Sequence, residues 1–245
     1  MFDLTGKTAL VTGAGQNVGA GIARALAGQG AEVVVNDYHL QRAEETVASI
    51  TNAGGSAVAS AFDVTDYPAV EAAVAEVGAI DILVNNAGSF GIGEMHIGPF
   101  IDLTPEQWES TIRVNLYGVM GCCKAVVKGM VERGWGRVIT ISSVAGTGGL
   151  DLGLSPYAAG KGGGLAFTRT LGLEVGRSGV TANTLALGYM SWADPALNEP
   201  FAAIIPVGRT GTPEDVGAAC VWLASHEASW VTGQTIQLNG GVRTT

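Results

Sequence analysis

Thr8-Ala9-Leu10-Val11-Thr12-Gly13-Ala14-Gly15-Gln16-Asn17-Val18-Gly19 is the stretch whose reading decides the fold. Its first five residues are a short β-strand pattern. A glycine-rich turn follows and runs directly into a helical pattern over 18–29. A strand, a glycine turn and a helix in that order let backbone N–H groups and a helix N-terminus approach a pyrophosphate. Such turns are common, so the flanking sequence has to support the reading. The second strand pattern, Glu32-Val33-Val34-Val35-Asn36, ends against Asp37, 24 residues after Gly13. A carboxylate there suits both hydroxyls of an adenosine ribose and repels a 2'-phosphate. The spacing favours NAD(H) over NADP(H).

The same alternation continues outward. Strand-like pieces recur at Ala57–Phe62, Asp81–Val84, Gly136–Ser142, Val180–Leu185 and Gln234–Leu238. Helical patterns lie between them, at 40–53, 66–77, 104–133, 156–177 and 213–224. Thr104-Pro105-Glu106-Gln107 and Thr212-Pro213-Glu214-Asp215 read as helix starts, with an N-cap, then Pro, then acids in the first turn. Strands alternating with helices predict a parallel sheet with right-handed crossovers and helices on both faces. No linker or repeat divides residues 1–245, so one doubly wound α/β domain of about seven strands is expected. The irregular stretches 89–103 and 186–211 both follow strands, which places them at the carboxyl ends, where such sheets bind ligands.

Composition narrows the function classes. There are 22 acidic against 13 basic residues, a net charge of -9, which argues against nucleic acid and against an acidic carrier protein as obligatory partner. Cys122, Cys123 and Cys220 lack metal-ligand spacing, so no metal site is expected. No unbroken run of 18 apolar residues and no signal-peptide layout occur, so a cytoplasmic protein without a spanning helix is expected. Glycine is abundant, 37 residues, and five fall in one helical pattern: Gly160, Gly162, Gly163, Gly164 and Gly172. Each costs about 1 kcal/mol relative to Ala in a helix interior. Close packing on the sheet, and against a second subunit, is the expected compensation.

Tyr157 and Lys161 share one face of that helix. A neighbouring ammonium and a cationic nicotinamide would both favour the phenolate and lower the phenol pKa from about 10. Ser142-Ser143 ends the preceding strand, and Asn115 lies in the long helical pattern before it. With Thr12-Gly13 and Gly19, Asp63-Val64 and Asn85-Asn86-Ala87-Gly88, the chain resembles the short-chain dehydrogenase/reductase family over almost its whole length.

The resemblance implies a Rossmann-type fold, with Asn115, Ser143, Tyr157 and Lys161 catalytic. Tyr157 would exchange a proton with an alcohol or ketone oxygen, and Ser143 rather than Ser142 would hold that oxygen. Lys161 would lower the Tyr157 pKa and hold the nicotinamide ribose, while Asn115 would fix a helix distortion and a proton-relay water. Cofactor contacts are implied at Gly13, Gln16, Asn17, Val18, Gly19, Asp37, Asp63, Val64, Asn85, Ala87, Gly88, Gly188 and Met190, besides Tyr157 and Lys161. A homo-oligomer, dimer or tetramer, is also implied, with the Tyr157 helix and the long one before it at the dimer axis.

Two departures stand out: Asn17 replaces the middle glycine of the family's first turn, and Leu187 replaces a proline before Gly188. Asn tolerates a left-handed conformation, and Leu187 frees φ and adds an N–H. Trp192 stands where the family usually has a cofactor-binding threonine. Substrate-lining loops are expected near 89–103, 147–156 and 189–207, with Phe90, Met95, His96, Leu150, Leu152, Tyr189 and Trp192 as candidates. The expected substrate is a small apolar ketone or secondary alcohol needing no charged anchor. Two alternatives stay open: a 3-oxoacyl or 3-hydroxyacyl thioester reductase acting on CoA esters, and a non-catalytic nucleotide sensor.

Overall fold

The computed structural model describes residues 1–88, 97–191, 196 and 198–244. Seven strands form one parallel sheet: β1 (Thr8–Val11), β2 (Glu32–Asp37), β3 (Ser56–Ala61), β4 (Ile82–Asn85), β5 (Gly136–Ser143), β6 (Val180–Leu187) and β7 (Thr235–Leu238). Their spatial order is β3-β2-β1-β4-β5-β6-β7, so the order reverses between β1 and β4. The crossovers carry α1 (Asn17–Gly28), α2 (Leu40–Asn52), α3 (Tyr67–Val77), α4 (Pro105–Ile112), α5 (Gly118–Arg133), α6 (Val144–Thr147), α7 (Ser155–Val175), α8 (Glu199–Ala202) and α9 (Pro213–Ala224). The expected doubly wound fold is therefore observed.

Two cores follow from the pleat, which sends successive side chains to opposite faces. Ala9, Val11, Val33, Val35, Ile82, Val84, Ile139 and Ile141 face one way and pack with Ile22 and Leu26 of α1 and Val216 and Leu223 of α9. Leu10, Val34, Leu83 and Val138 face the other way and pack with Val70 of α3, Val119, Cys122 and Met130 of α5 and Leu171 of α7. By composition the continuous helical segment Pro105–Arg133 is apolar enough to span a bilayer. Here Val119, Cys122, Cys123, Val126 and Met130 of that segment are buried in the core, and the three cysteines are free thiols.

One boundary differs from expectation. The strand expected to stop at Leu185 continues to Leu187, which pairs with Ser143 on one side and Leu238 on the other. Without proline nothing interrupts the ladder there. The long helix expected over 104–133 contains a π-helical segment, Arg113–Tyr117, with Asn115 at its centre, where the resemblance implied a helix distortion.

The five glycines of α7 are explained within this one chain. A Cβ on Gly160 would lie 2.9 Å from Asn115 Cβ, and one on Gly164 3.1 Å from Asn115 O. One on Gly162 would meet Gly146 O at 3.2 Å, one on Gly163 Leu116 Cδ1 at 3.2 Å, and one on Gly172 Thr232 Oγ1 at 2.7 Å. Gly160→Ala should therefore destabilise the protein by about 1–3 kcal/mol through overpacking, although Ala is the better helix former. Urea denaturation measures this; a midpoint raised by the substitution would contradict it.

Candidate active site

The reversal between β1 and β4 opens a crevice at the carboxyl ends of the strands, and the first turn enters it. Thr12 is its hub. Its hydroxyl accepts N–H bonds from Asn86 (3.0 Å) and Ala87 (3.1 Å), and Asn86 Nδ2 donates to Thr12 O and Gly13 O, both at 2.9 Å. Gly13 sits at φ +59, and a Cβ on it would fall 2.9 Å from Ala87 Cα. Asn17 adopts φ +47, so the residue replacing the family's glycine takes the left-handed conformation expected of it. A side chain on Gly19 would collide with Gly13 O. Helix α1 starts without a side-chain cap and without an acid in its first turn. Its first N–H groups are thus available to an anion, and the cradle fits a pyrophosphate.

Asp37 ends β2 and is buried. Its Oδ2 accepts from Gly15 N (3.2 Å) and its Oδ1 from His39 N (3.0 Å), which fixes the carboxylate over the turn. Asp63 Oδ1 accepts from Thr65 N at 2.8 Å, and Val64 packs where Gly118 leaves room on α5. Asn85 is buried and donates to Cys123 Sγ at 3.3 Å.

The catalytic candidates converge beside this cradle. Ser143 is the last residue of β5, accepts from Ala145 N at 3.2 Å and shares a hydrogen bond with the Tyr157 phenol. Ser142 points elsewhere: it is buried and donates to Lys161 O at 3.0 Å, which separates the two adjacent serines. Lys161 is buried and donates through Nζ to Ile141 O at 2.8 Å. Asn115 is buried in the π segment, where its Nδ2 donates to Thr111 O at 2.9 Å. A Cβ on Gly88 would stand 2.9 Å from both Asn115 Oδ1 and Lys161 Nζ, so Gly88 lets the segment after β4 reach both groups.

Burial dominates the electrostatics of the Tyr157–Lys161 pair within the chain itself. Burial pushes the Tyr157 phenol up to about 12, and only the Ser143 hydrogen bond opposes it. The Lys161 ammonium, 5.9 Å from the Tyr157 ring centroid, does not offset that burial. Burial in turn lowers Lys161 to about 8. The protein alone therefore holds Tyr157 as a neutral acid, because both groups lose more solvation than they gain in attraction.

The substrate candidates are divided. Phe90, Met95, His96 and Trp192 lie outside the described residues. Leu150 packs against a buried cluster of Ala145, Leu154 and Tyr157. Leu152 is exposed. Tyr189 stacks on Phe201 of α8 with centroids 4.7 Å apart, and Met190 forms an isolated bridge to Gly211. Gly188 donates its N–H to Leu238 O at 3.1 Å. No cluster able to hold a metal occurs among the described residues.

Residues 13–243 match the family model described as enoyl-(acyl carrier protein) reductase. The chain belongs to the short-chain dehydrogenase/reductase family. Among its relatives in that family is the 3-oxoacyl-[acyl-carrier-protein] reductase FabG of Vibrio harveyi, 37% identical, with 98% of this chain and 99% of the relative covered. A similar solved structure is the 3-oxoacyl-[acyl-carrier protein] reductase of Brucella melitensis with bound NAD, with TM-score 0.93, 32% identity and coverage of 100% and 94%. Another is the gluconate 5-dehydrogenase of Burkholderia cenocepacia J2315 in complex with NADP and tartrate, with TM-score 0.89, 36% identity and coverage of 98% and 96%. As a short-chain dehydrogenase/reductase, the chain is an oxidoreductase that uses a nicotinamide cofactor.

Proposed function

We propose that the protein interconverts a small secondary alcohol and its ketone, using NAD(H) in preference to NADP(H). The observation that supports the reaction most directly is the grouping of Tyr157 with Ser143, which hydrogen-bonds its phenol, and with Lys161, whose ammonium lies 5.9 Å from its ring, next to the Ala87–Gly88 wall of the Gly13 turn. Hydride exchange with the substrate carbon is the chemistry a bound nicotinamide supplies. Tyr157 gives its proton to the ketone oxygen, or takes one from the alcohol. Ser143 donates to the same oxygen and stabilises the charge developing on it. Lys161 orients the nicotinamide ribose, and the π segment holds Asn115 at the inner end of the proton path.

The cofactor preference rests on Asp37. Its carboxylate is fixed by two backbone N–H groups at the end of β2, where a 2'-phosphate would meet like charge. Arg42 lies against the same turn: its Cβ is 2.6 Å from where a Cβ on Gly15 would be. Asp37→Ala should remove the repulsion and leave that base, shifting the NADH/NADPH ratio of kcat/KM towards NADPH by about 10²-fold. Initial rates with both cofactors, followed by absorbance across a ketone and alcohol panel, test this. A native enzyme faster with NADPH would refute it.

A thioester reductase is the second reading, favoured by the FabG relative. Asp37 counts against an NADPH-linked biosynthetic version, and the net charge of -9 against docking an acidic carrier protein. A cytoplasmic homo-oligomer completes the proposal. Tyr117 at the end of the π segment, Met120 on α5 and Leu173 on α7 are exposed apolar groups available to a second copy.

A further inference from the structure

The C-terminal segment carries a cation towards the catalytic serine. Arg243 donates through Nη2 to Gly149 O at 3.1 Å, and its guanidinium fills the space a Cβ on Gly148 would need. Gly148 caps α6, the single turn that begins at Ser143, so it lies on the order of 8 Å from that serine at 1.5 Å per residue. The next residue, Leu150, packs in the cluster that contains Tyr157.

The segment holding Arg243 is itself fixed. Asn239 Nδ2 donates to Arg243 O at 2.9 Å, and Asn239 Oδ1 accepts from Gly241 N at 3.0 Å. Asn239 also packs against Gly188, the turn expected beside the nicotinamide: a Cβ on Gly188 would be 2.8 Å from Asn239 Cα. Gly240 O accepts from Val207 N at 3.1 Å, tying the segment to the end of the 189–207 loop. Two of the expected substrate loops and the cofactor turn therefore meet the C-terminal segment that carries this arginine.

The guanidinium is under-used for its position. It has five N–H donors, and among the described residues only the Gly149 carbonyl takes one. None of the ion pairs among the described residues involves it, whereas Arg209, in the same region of the chain, is held at two points by Asp215. A planar fork of this kind suits a carboxylate in bidentate contact. A lone cation balances one carboxylate better than a phosphate dianion.

We propose that Arg243 binds a carboxylate at the far end of the substrate, so that the protein acts on an oxo acid and the corresponding hydroxy acid. This deepens the alcohol–ketone reading and rests on it. It replaces the expectation of an uncharged anchor with an apolar wall of Ala145, Leu150 and Leu154 around Tyr157 and a cation at the adjoining Gly148–Gly149 turn.

The test pairs substrates that differ only in charge: 4-oxopentanoate and 5-oxohexanoate against their methyl esters, each with NADH. Native enzyme should favour an acid over its ester by at least about 10-fold in kcat/KM, mainly through KM, the size expected of a charge-assisted hydrogen bond. Arg243→Gln should bring that ratio close to one while leaving the ester rate nearly unchanged, and Arg243→Lys should retain part of it. Equal losses for acid and ester would show that Arg243 only ties the C-terminal segment to the Gly148 turn, and would overturn the proposal. A native ratio near one would do the same. If neither acid nor ester turns over, the alcohol–ketone reading fails for these substrates. The anion site is then read separately from the melting temperature of the NAD-loaded protein with glutarate. A rise that Arg243→Gln abolishes supports the site, and no rise overturns it.

Discussion

Tyr157→Phe should lower turnover by about 10³-fold, a typical general acid–base contribution. The phenyl ring keeps the packing of the buried side chain among Ala145 and Leu154, so the fold should survive. Only the hydroxyl that shares the Ser143 hydrogen bond is lost. Cofactor affinity, measured by NADH fluorescence, should change little, which separates a chemical defect from a folding defect. Turnover within about 10-fold of native would remove Tyr157 from the reaction, since about 1.4 kcal/mol per decade leaves too small a contribution for an acid–base group.

Lys161→Met should have the opposite signs on activity and stability. Turnover should fall by about 10²-fold or more, because the group that orients the ribose beside Tyr157 is lost. Stability at neutral pH should rise. The amine is buried, hydrogen-bonded to Ile141 O, and lowered from 10.5 to about 8 by desolvation alone. That difference makes the buried ammonium cost about 3 kcal/mol, an order-of-magnitude figure, reduced in the variant by the lost hydrogen bond.

The sign with pH follows from proton counting. Below about 8 both folded and unfolded states are protonated, and native protein bears the full cost. Between about 8 and 10.5 the unfolded chain binds more protons, so native stability from this group rises with pH. Above 10.5 the cost is gone. The advantage of Lys161→Met in urea denaturation should therefore shrink as pH climbs from 8 to 10. An advantage independent of pH would mean that packing, not charge, explains it.

Much of this site is legible in the chain because local order places it. The strand, the glycine turn and Asp37 all belong to one β-α-β unit, and helical spacing alone puts Tyr157 and Lys161 together. Asn17 at φ +47 and the π segment at Asn115 follow from residues read in place. What escapes is long-range. Arg243 meets Gly149 across 94 positions, and no pattern in either segment announces that contact. The direction of the Tyr157 shift escapes for a related reason: burial is a property of the packed whole, whereas the Lys161 neighbour is visible four residues away. Leu187 extends β6 because two neighbouring strands offer it a ladder that the local sequence does not reveal.

The glycine contacts of α7 bear on how such a protein changes over evolutionary time. Five positions of that helix are seated against Asn115, Leu116, Gly146 and Thr232 with no room for a methyl group to spare. The rail bearing the proton donor is therefore frozen in translation and rotation, and drift along it is punished by collision. The segments around Gly148 and Arg243 lie outside that rail and join it through the packing of Gly146 on Gly162 and of Leu150 on Tyr157. New substrates can be acquired there by rewriting a turn and a tail, while the chemistry is inherited unchanged.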